Sequence, residues 1–262
     1  MFPLLFEVPI FGGVRIYTYG LMYALGFLIG ISYVARLAKK SDVSPETVLD
    51  LSFYIILAGV IGARVLYILT DWQRFSGHPI DVFKIWEGGL VFYGGLIGAM
   101  IASYVYTKKH KISFLKVLDL FMPGASLGHA IGRLGCLAAG CCYGKPAPAW
   151  FPFSISFPAS SHSLAPVGVP LYPTQIIESL SLFLVFLFLA RLYPRRKFDG
   201  QVFISYVISY GIIRILVEIF RGDLIRGFLI PNWLSTSQFI SIGFIIFAVI
   251  LYRVLKQRSL KS

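Results

Sequence analysis

Seven blocks of apolar residues, near 17–37, 50–70, 88–107, 117–138, 174–193, 201–220 and 236–254, constrain this chain more than any other feature. Each is about 17 to 25 residues long, the length an α-helix needs to cross the hydrocarbon core of a bilayer. The chain is 57% hydrophobic and 14% charged, with mean hydropathy +0.76, whereas a soluble domain carries roughly 25% charged residues. An all-α integral membrane protein with seven transmembrane helices is therefore expected. No stretch between the blocks is long enough to fold separately, so residues 1–262 read as a single polytopic membrane domain.

The net charge of +12 would suggest nucleic acid in a soluble protein. Here the basic residues fall between the apolar blocks, in clusters built on Arg36, Lys39 and Lys40, on Lys108, Lys109, Lys111 and Lys116, on Arg191, Arg195, Arg196 and Lys197, and on Arg253, Lys256, Arg258 and Lys261. With seven crossings all four clusters share one side, which the positive-inside rule makes cytoplasmic. The basicity thus reports topology, and no nucleic-acid partner is expected. The N-terminus is placed outside, in the periplasm, and the C-terminus in the cytoplasm. The N-terminal sequence has no basic leader or small-residue cleavage site of a secretory signal. Residues 1–16 are too short to span and are expected on the outer surface, anchored by Phe2, Phe6 and Phe11. The external loops are 71–87, 139–173 and 221–235; the second, rich in Pro, Ser and aromatic residues, is expected to be irregular and interfacial.

An ionisable group at membrane depth is costly and marks a functional site by default. Arg64, Arg133, Arg214, Glu218 and Arg221 all fall toward the outer half of their blocks. Arg214 and Glu218, four apart, can pair along one helix face. Glu87, Glu178 and Asp223 are the other acids near that boundary. Glu218 can neutralise only one arginine, so the excess of cations suggests an anionic ligand with planar oxygen acceptors, such as a lipid phosphate.

The glycines divide by pattern. Gly124, Gly128 and Gly132, at four-residue spacing, are expected to let helices approach closely. Gly88, Gly89, Gly94 and Gly95, paired around Tyr93, suggest a backbone that bends or approaches a ligand. Tyr19 and Tyr93 are candidate contacts to a polar substrate, whereas Tyr23 reads as an interface anchor. Cys136, Cys141 and Cys142 lack the paired C-x-x-C spacing of zinc sites, and none of His78, His110, His129 and His162 has ligand spacing. No metal and no cofactor is therefore expected.

The segments Tyr19-Gly20-Leu21-Met22-Tyr23, Gly62-Ala63-Arg64, Trp86-Glu87-Gly88-Gly89 through Gly98, Gly132-Arg133-Leu134-Gly135, Tyr172-Pro173-Thr174-Gln175 through Glu178, Arg214 through Arg221 and Leu234-Ser235-Thr236-Ser237-Gln238 follow one another along the chain. Together they resemble the bacterial prolipoprotein diacylglyceryl transferases. The resemblance implies seven spans in the bacterial cytoplasmic (inner) membrane. It also implies transfer of the diacylglyceryl group of phosphatidylglycerol to the lipobox cysteine of prolipoprotein signal peptides, with release of glycerol phosphate, the first step of lipoprotein maturation. Catalysis would fall to Arg133, Arg214 and Tyr93, and substrate binding to Arg133, Arg64, Tyr19, Glu218, Arg221, Gly94 and Gly95. Membrane lipids are the remaining partners, and a monomer is expected.

Two departures stand out. Tyr93 occupies a place where many members carry histidine, and Cys136 and Cys141 stand where the fourth-span signature continues with Asn and Glu. The roles of that Asn and Glu do not carry over. Another phospholipid-dependent transferase on the same scaffold is one alternative. A lipid or anion transporter is the other, although the sequence has no internal repeat of the kind transporters show.

Overall fold

A computed structural model describes residues 4–8, 14–77, 79–84, 88–159, 163–223, 227–230 and 233–260. Phe2, Phe11, His78, Trp86, Glu87, His162 and Lys261 lie outside the described residues, as does the side chain of Phe6. Helices dominate: α1 (Thr18–Ala38), α2 (Pro45–Thr70), α3 (Trp72–Ser76), α4 (Phe92–Lys109), α5 (Phe114–Ala139), α6 (Thr174–Leu192), α7 (Gln201–Phe220) and α8 (Thr236–Ser259). Two short antiparallel hairpins join them: β1 (Leu4–Val8) with β2 (Val14–Tyr17), in the register Leu4 opposite Tyr17, and β3 (Phe228–Ile230) with β4 (Leu234–Ser235).

Five of the helical segments are long and apolar enough to cross a membrane: Thr18–Ala38, Pro45–Thr70, Thr174–Arg195, Gln201–Phe220 and Thr236–Ser259. The helices α4 and α5 coincide with the other two expected blocks but are less apolar. Glycines and tyrosines dilute α4, and α5 carries Lys116, Asp119, His129 and Arg133. Burial is inverted relative to a soluble protein. Leu28, Phe53, Leu69, Leu184 and Ile250 point outward, while Asp119, Arg133, Gln175, Glu178 and Glu218 are buried. Only an apolar solvent favours that distribution, and the protein is a multi-pass membrane protein.

The chain divides into two compact units, Val34–Val117 on the one hand and Met1–Tyr33 with Leu118–Ser262 on the other. In the first unit, α2 starts at Ser44, whose Oγ accepts from Thr47 N at 3.1 Å, with Pro45 in the first turn. Its partner α4 packs glycine to glycine: a Cβ on Gly94 or Gly98 would overlap the backbone of Gly62 or Ala58. The second unit repeats this device between α1 and α5, where a Cβ on Gly30 would stand 2.7 Å from Gly124 O and one on Gly128 2.7 Å from Gly26 O. Close backbone approach of this kind substitutes for the hydrophobic drive that lipid removes.

Three polar ties fix the helices of the second unit. Asp119 of α5, fully buried, accepts from Gly200 N at 2.8 Å and Phe203 N at 2.9 Å, satisfying amides at the start of α7. Ser126 and Ser179 Oγ donate to Leu182 O and Ala130 O, both at 2.8 Å, joining α5 to α6. A capping box opens α8, with Gln238 N donating to Ser235 Oγ and Ser235 N to Gln238 Oε1.

The described residues of 140–173 contain isolated bridges and no helix, and they are packed rather than draped. Phe157, Ala165 and Leu171 form a small core against Leu137, Tyr143, Ile155 and Val169, while Trp150 and Phe153 remain outside it, 78% and 73% exposed. Glycine-mediated packing gives a direct test. Gly98→Ala and Gly128→Ala are expected to lower stability by about 1–3 kcal/mol through overpacking, measured by thermal unfolding in detergent micelles. Gly243→Ala, whose Cβ meets nothing within 4 Å, is expected to leave stability unchanged or slightly raised.

Candidate active site

Apart from Asp119, the buried charges of the second unit gather where α5 and α7 end and α6 begins. Arg133 lies one turn and a half before the end of α5, and Glu178 lies in the second turn of α6. Arg133 Nη2 donates to Glu178 Oε1 at 2.5 Å, with the two side chains 9% and 2% exposed. On α7, Arg214 Nη2 stands 2.9 Å from Glu218 Oε2 in an ion pair, the pairing expected from their four-residue spacing, and donates to Ser237 Oγ at 3.0 Å. Arg221 follows α7 and holds Asp223 with two nitrogens, Nε to Oδ1 at 2.8 Å and Nη2 to Oδ2, while its Nη1 stands 3.9 Å from Glu218 Oε2.

These pairs correct one expectation. The sequence suggested more arginines than acids at this depth, yet Arg133, Arg214 and Arg221 meet Glu178, Glu218 and Asp223, so formal charge balances without a ligand. The folding of α6 brings Glu178 within reach across 45 residues of sequence. What survives is an unfilled donor set. Among the described residues, Arg133 Nε and Arg214 Nη1 are buried without an acceptor, a costly state in an apolar surrounding. Two guanidinium donors in need of oxygen are suited to a phosphate.

The loop after α5 carries the thiols. Gly140 at φ +68° and Cys142 at φ +58° reverse the chain, so that Cys141 N donates to Cys136 O at 3.1 Å. Cys136, Cys141 and Cys142 then bring their Sγ atoms within 4.8 Å of one another. The sequence spacing gave no hint of this cluster, because on a continuous helix Cys141 and Cys142 would lie beyond Cys136, not beside it. Arg133 Nη1 points to Cys136 Sγ at 3.8 Å. The first turn of α6 grips the loop: Gln175 Nε2 donates to Cys141 O and Thr174 Oγ1 to Cys142 O, each at 2.8 Å. The S–H groups of Cys136 and Cys141, with Arg133 and Arg221, hold the Cys142 thiol below the usual thiol range.

Beside this loop, Tyr19 O and Met22 Cβ of α1 face Gly135, and the Tyr23 ring lies over Gly132 with the Tyr19 ring 4.6 Å away. His129, four residues before Arg133, sits against Tyr206 and Tyr210. Gln175, Thr174 and Ser237 are site residues that reasoning on charge passed over. Their signal was present in the Tyr172–Glu178 and Leu234–Gln238 segments, each of which places polar residues at the start of an apolar block.

Arg64, Tyr93, Gly94 and Gly95 belong to the other unit. Arg64 donates to four carbonyls, those of Asp81, Val82, Gly88 and Gly89, and packs over the rings of Tyr67 and Phe75. The positive φ of Gly88 and Gly89 turns their carbonyls toward it. The cavity lined by Arg64, Asp81, Gly88 and Gly89 measures about 20 Å³, room for a water but not for a headgroup. Tyr93, in the first turn of α4, is 39% exposed, and Gly94 is accounted for by its approach to Gly62.

The Arg133–Glu178 pair can be tested apart from any activity. Glu178→Gln is expected to cost about 3–5 kcal/mol of stability by leaving a buried guanidinium uncompensated. Replacing both residues with leucine should recover most of that loss. A single variant that unfolds at the parent temperature would contradict the assignment.

Comparison with known proteins extends these observations. A family model described as prolipoprotein diacylglyceryl transferase matches residues 3–254. A phosphatidylglycerol--prolipoprotein diacylglyceryl transferase of Clostridium tetani is 38% identical over 223 residues, covering 85% of this chain and 86% of the relative. One of Finegoldia magna is 38% identical over 212 residues, covering 80% and 81%. A protein of Clostridium perfringens with the same name, numbered 2, is 37% identical over 211 residues, with the same coverage. A match running nearly the whole length, through α1 to α8 and every buried arginine described above, means that the chain belongs to the prolipoprotein diacylglyceryl transferase family.

Proposed function

We propose that this protein transfers the diacylglyceryl group of phosphatidylglycerol to the lipobox cysteine of prolipoproteins, forming a thioether and releasing glycerol phosphate. Membership of the family and the names of its relatives support the reaction. The observation that carries the site is the pair of buried, unfilled donors, Arg133 Nε and Arg214 Nη1.

The attacking group comes from the substrate, a thiol with a pKa about 8.5 that is a few per cent ionised near neutrality. Breaking a carbon–oxygen bond with a phosphate monoester leaving is the harder part. Donors aimed at the departing phosphate lower that barrier most, because they are fixed before reaction in a place where water cannot screen them. Arg133 and Arg214 are assigned this role. Glu178, Glu218 and Ser237 hold the two guanidinium groups in place, and Arg221, paired with Asp223, stands at the same end. Tyr19 is assigned to substrate contact beside Gly135. Tyr93, with Gly94 and Gly95, is assigned to orienting substrate. Arg64 is reassigned from substrate binding to positioning, since its donors are taken by the carbonyls of Asp81, Val82, Gly88 and Gly89.

The same reading gives one polytopic domain with seven spans, adding α4 and α5 to the five most apolar segments, in the cytoplasmic (inner) membrane of a bacterium. On this reading the N-terminus and residues 139–173 lie outside, the C-terminus lies inside, and the protein acts as a monomer.

Arg133→Ala and Arg214→Ala are each expected to reduce glycerol phosphate release at least about 100-fold, the scale of removing one preorganised donor, while membrane insertion is retained. The assay uses purified protein, phosphatidylglycerol and a lipobox peptide; parental rates in both variants would refute the phosphate assignment. For topology, a fluorescent protein that matures only in the cytoplasm is expected to glow when fused after Ser262 and to stay dark when inserted at Trp150.

A further inference from the structure

The three-thiol cluster is not needed for the phosphate chemistry above. We propose that Cys136, Cys141 and Cys142 are a metal site, three thiolates for a thiophilic divalent ion with zinc the best fit, whose fourth position is left for an incoming thiol.

The geometry carries this further than packing would. Zinc bound tetrahedrally at Zn–S distances near 2.3 Å holds its sulfurs about 3.8 Å apart, and the three Sγ atoms already lie within 4.8 Å. Small side-chain rotations close the difference. The loop is built to present them. Cys142 takes a left-handed backbone conformation that a side chain rarely adopts, a strain typical of functional sites. Gln175 and Thr174 fix the carbonyls of Cys141 and Cys142 at 2.8 Å, giving the outer support that metal ligands require. Cys136 is buried, and Cys141 and Cys142 are half-buried. No histidine, carboxylate or fourth thiol completes the group among the described residues, the arrangement of zinc sites that act on a bound substrate. Three thiolates and one divalent cation sum to a single negative charge, and Arg133 Nη1 already points to Cys136 Sγ.

The chemical consequence rests on the proposed transfer reaction. A thiol that binds the open position loses its proton to water and stays there as a thiolate. Its sulfur electron pair forms the new S–C bond to the glyceryl carbon. The C–O bond to phosphate breaks, and its pair leaves with glycerol phosphate. The ion keeps its oxidation state, and no oxidant or reductant is required. In this chain the metal would raise the thiolate fraction of the lipobox cysteine, a task that a general base would otherwise perform.

The test uses full-length protein purified with a reductant in detergent micelles and titrated with Co²⁺, which reports its own ligands. One equivalent is expected, with thiolate-to-cobalt absorption in the near ultraviolet that Zn²⁺ abolishes. Cys141→Ser and Cys142→Ser should each remove that absorption, and Gln175→Ala should weaken binding about tenfold. A lipobox peptide should shift the cobalt spectrum, and the same peptide with serine for its cysteine should not. Transfer should fall at least about tenfold in chelated protein and return with Zn²⁺. Substoichiometric binding, binding indifferent to the cysteine substitutions, or a disulfide among the three thiols under reducing conditions would overturn the site. Equal transfer rates with and without zinc would overturn its part in the reaction while leaving the transferase reading intact. Absence of transfer under every condition would instead reject that reading, and the cobalt spectrum would still decide whether the metal site exists.

Discussion

The contact between Arg133 and Glu178 is the constraint on which the rest of this structure depends. A guanidinium at this depth is tolerable only with a partner, and the partner sits on a different helix, 45 residues away in sequence. Meeting that demand sets how far α6 slides along α5, and Ser126 and Ser179 then fix the same pairing with bonds to backbone oxygens. The position of Thr174 and Gln175 follows, since they stand one turn before Glu178 on the same helix. The loop they hold is therefore set by the charge pair.

A second consequence is electrostatic. Each buried arginine in this unit has a carboxylate, so the resting site is close to neutral and its folding does not require bound lipid. Attraction for a phosphate comes instead from donors whose geometry the carboxylates leave unfilled. Such a site gains little by binding a neutral headgroup. It gains most when negative charge gathers on a departing oxygen, which is the requirement for accelerating a reaction rather than for storing its substrate.

Much of this was legible in the chain. Apolar block lengths located every long helix, because in lipid the backbone has few alternatives to a helix. The Arg214 and Glu218 pair followed from a four-residue spacing. Other features depended on tertiary approach and left no periodic trace. The carbonyl cage of Arg64 needs Asp81, Val82, Gly88 and Gly89 to fold back on α2, and no rule of spacing anticipates that. Likewise, the sulfurs converge only because α5 stops at Ala139 and two residues of positive φ, Gly140 and Cys142, follow. The packed core within 139–173 escaped notice for a related reason: Phe157, Ala165 and Leu171 are scattered among prolines and serines without a period.

The grip of α6 on the loop after α5 has a bearing on how such a family diversifies. Gln175 and Thr174 hold main-chain oxygens, and those oxygens are present whatever side chains positions 141 and 142 carry. The shape of the loop is thereby insulated from its chemistry. A lineage can exchange the side chains at these places and keep the same scaffold, so that new reactivity is sampled without refolding the site.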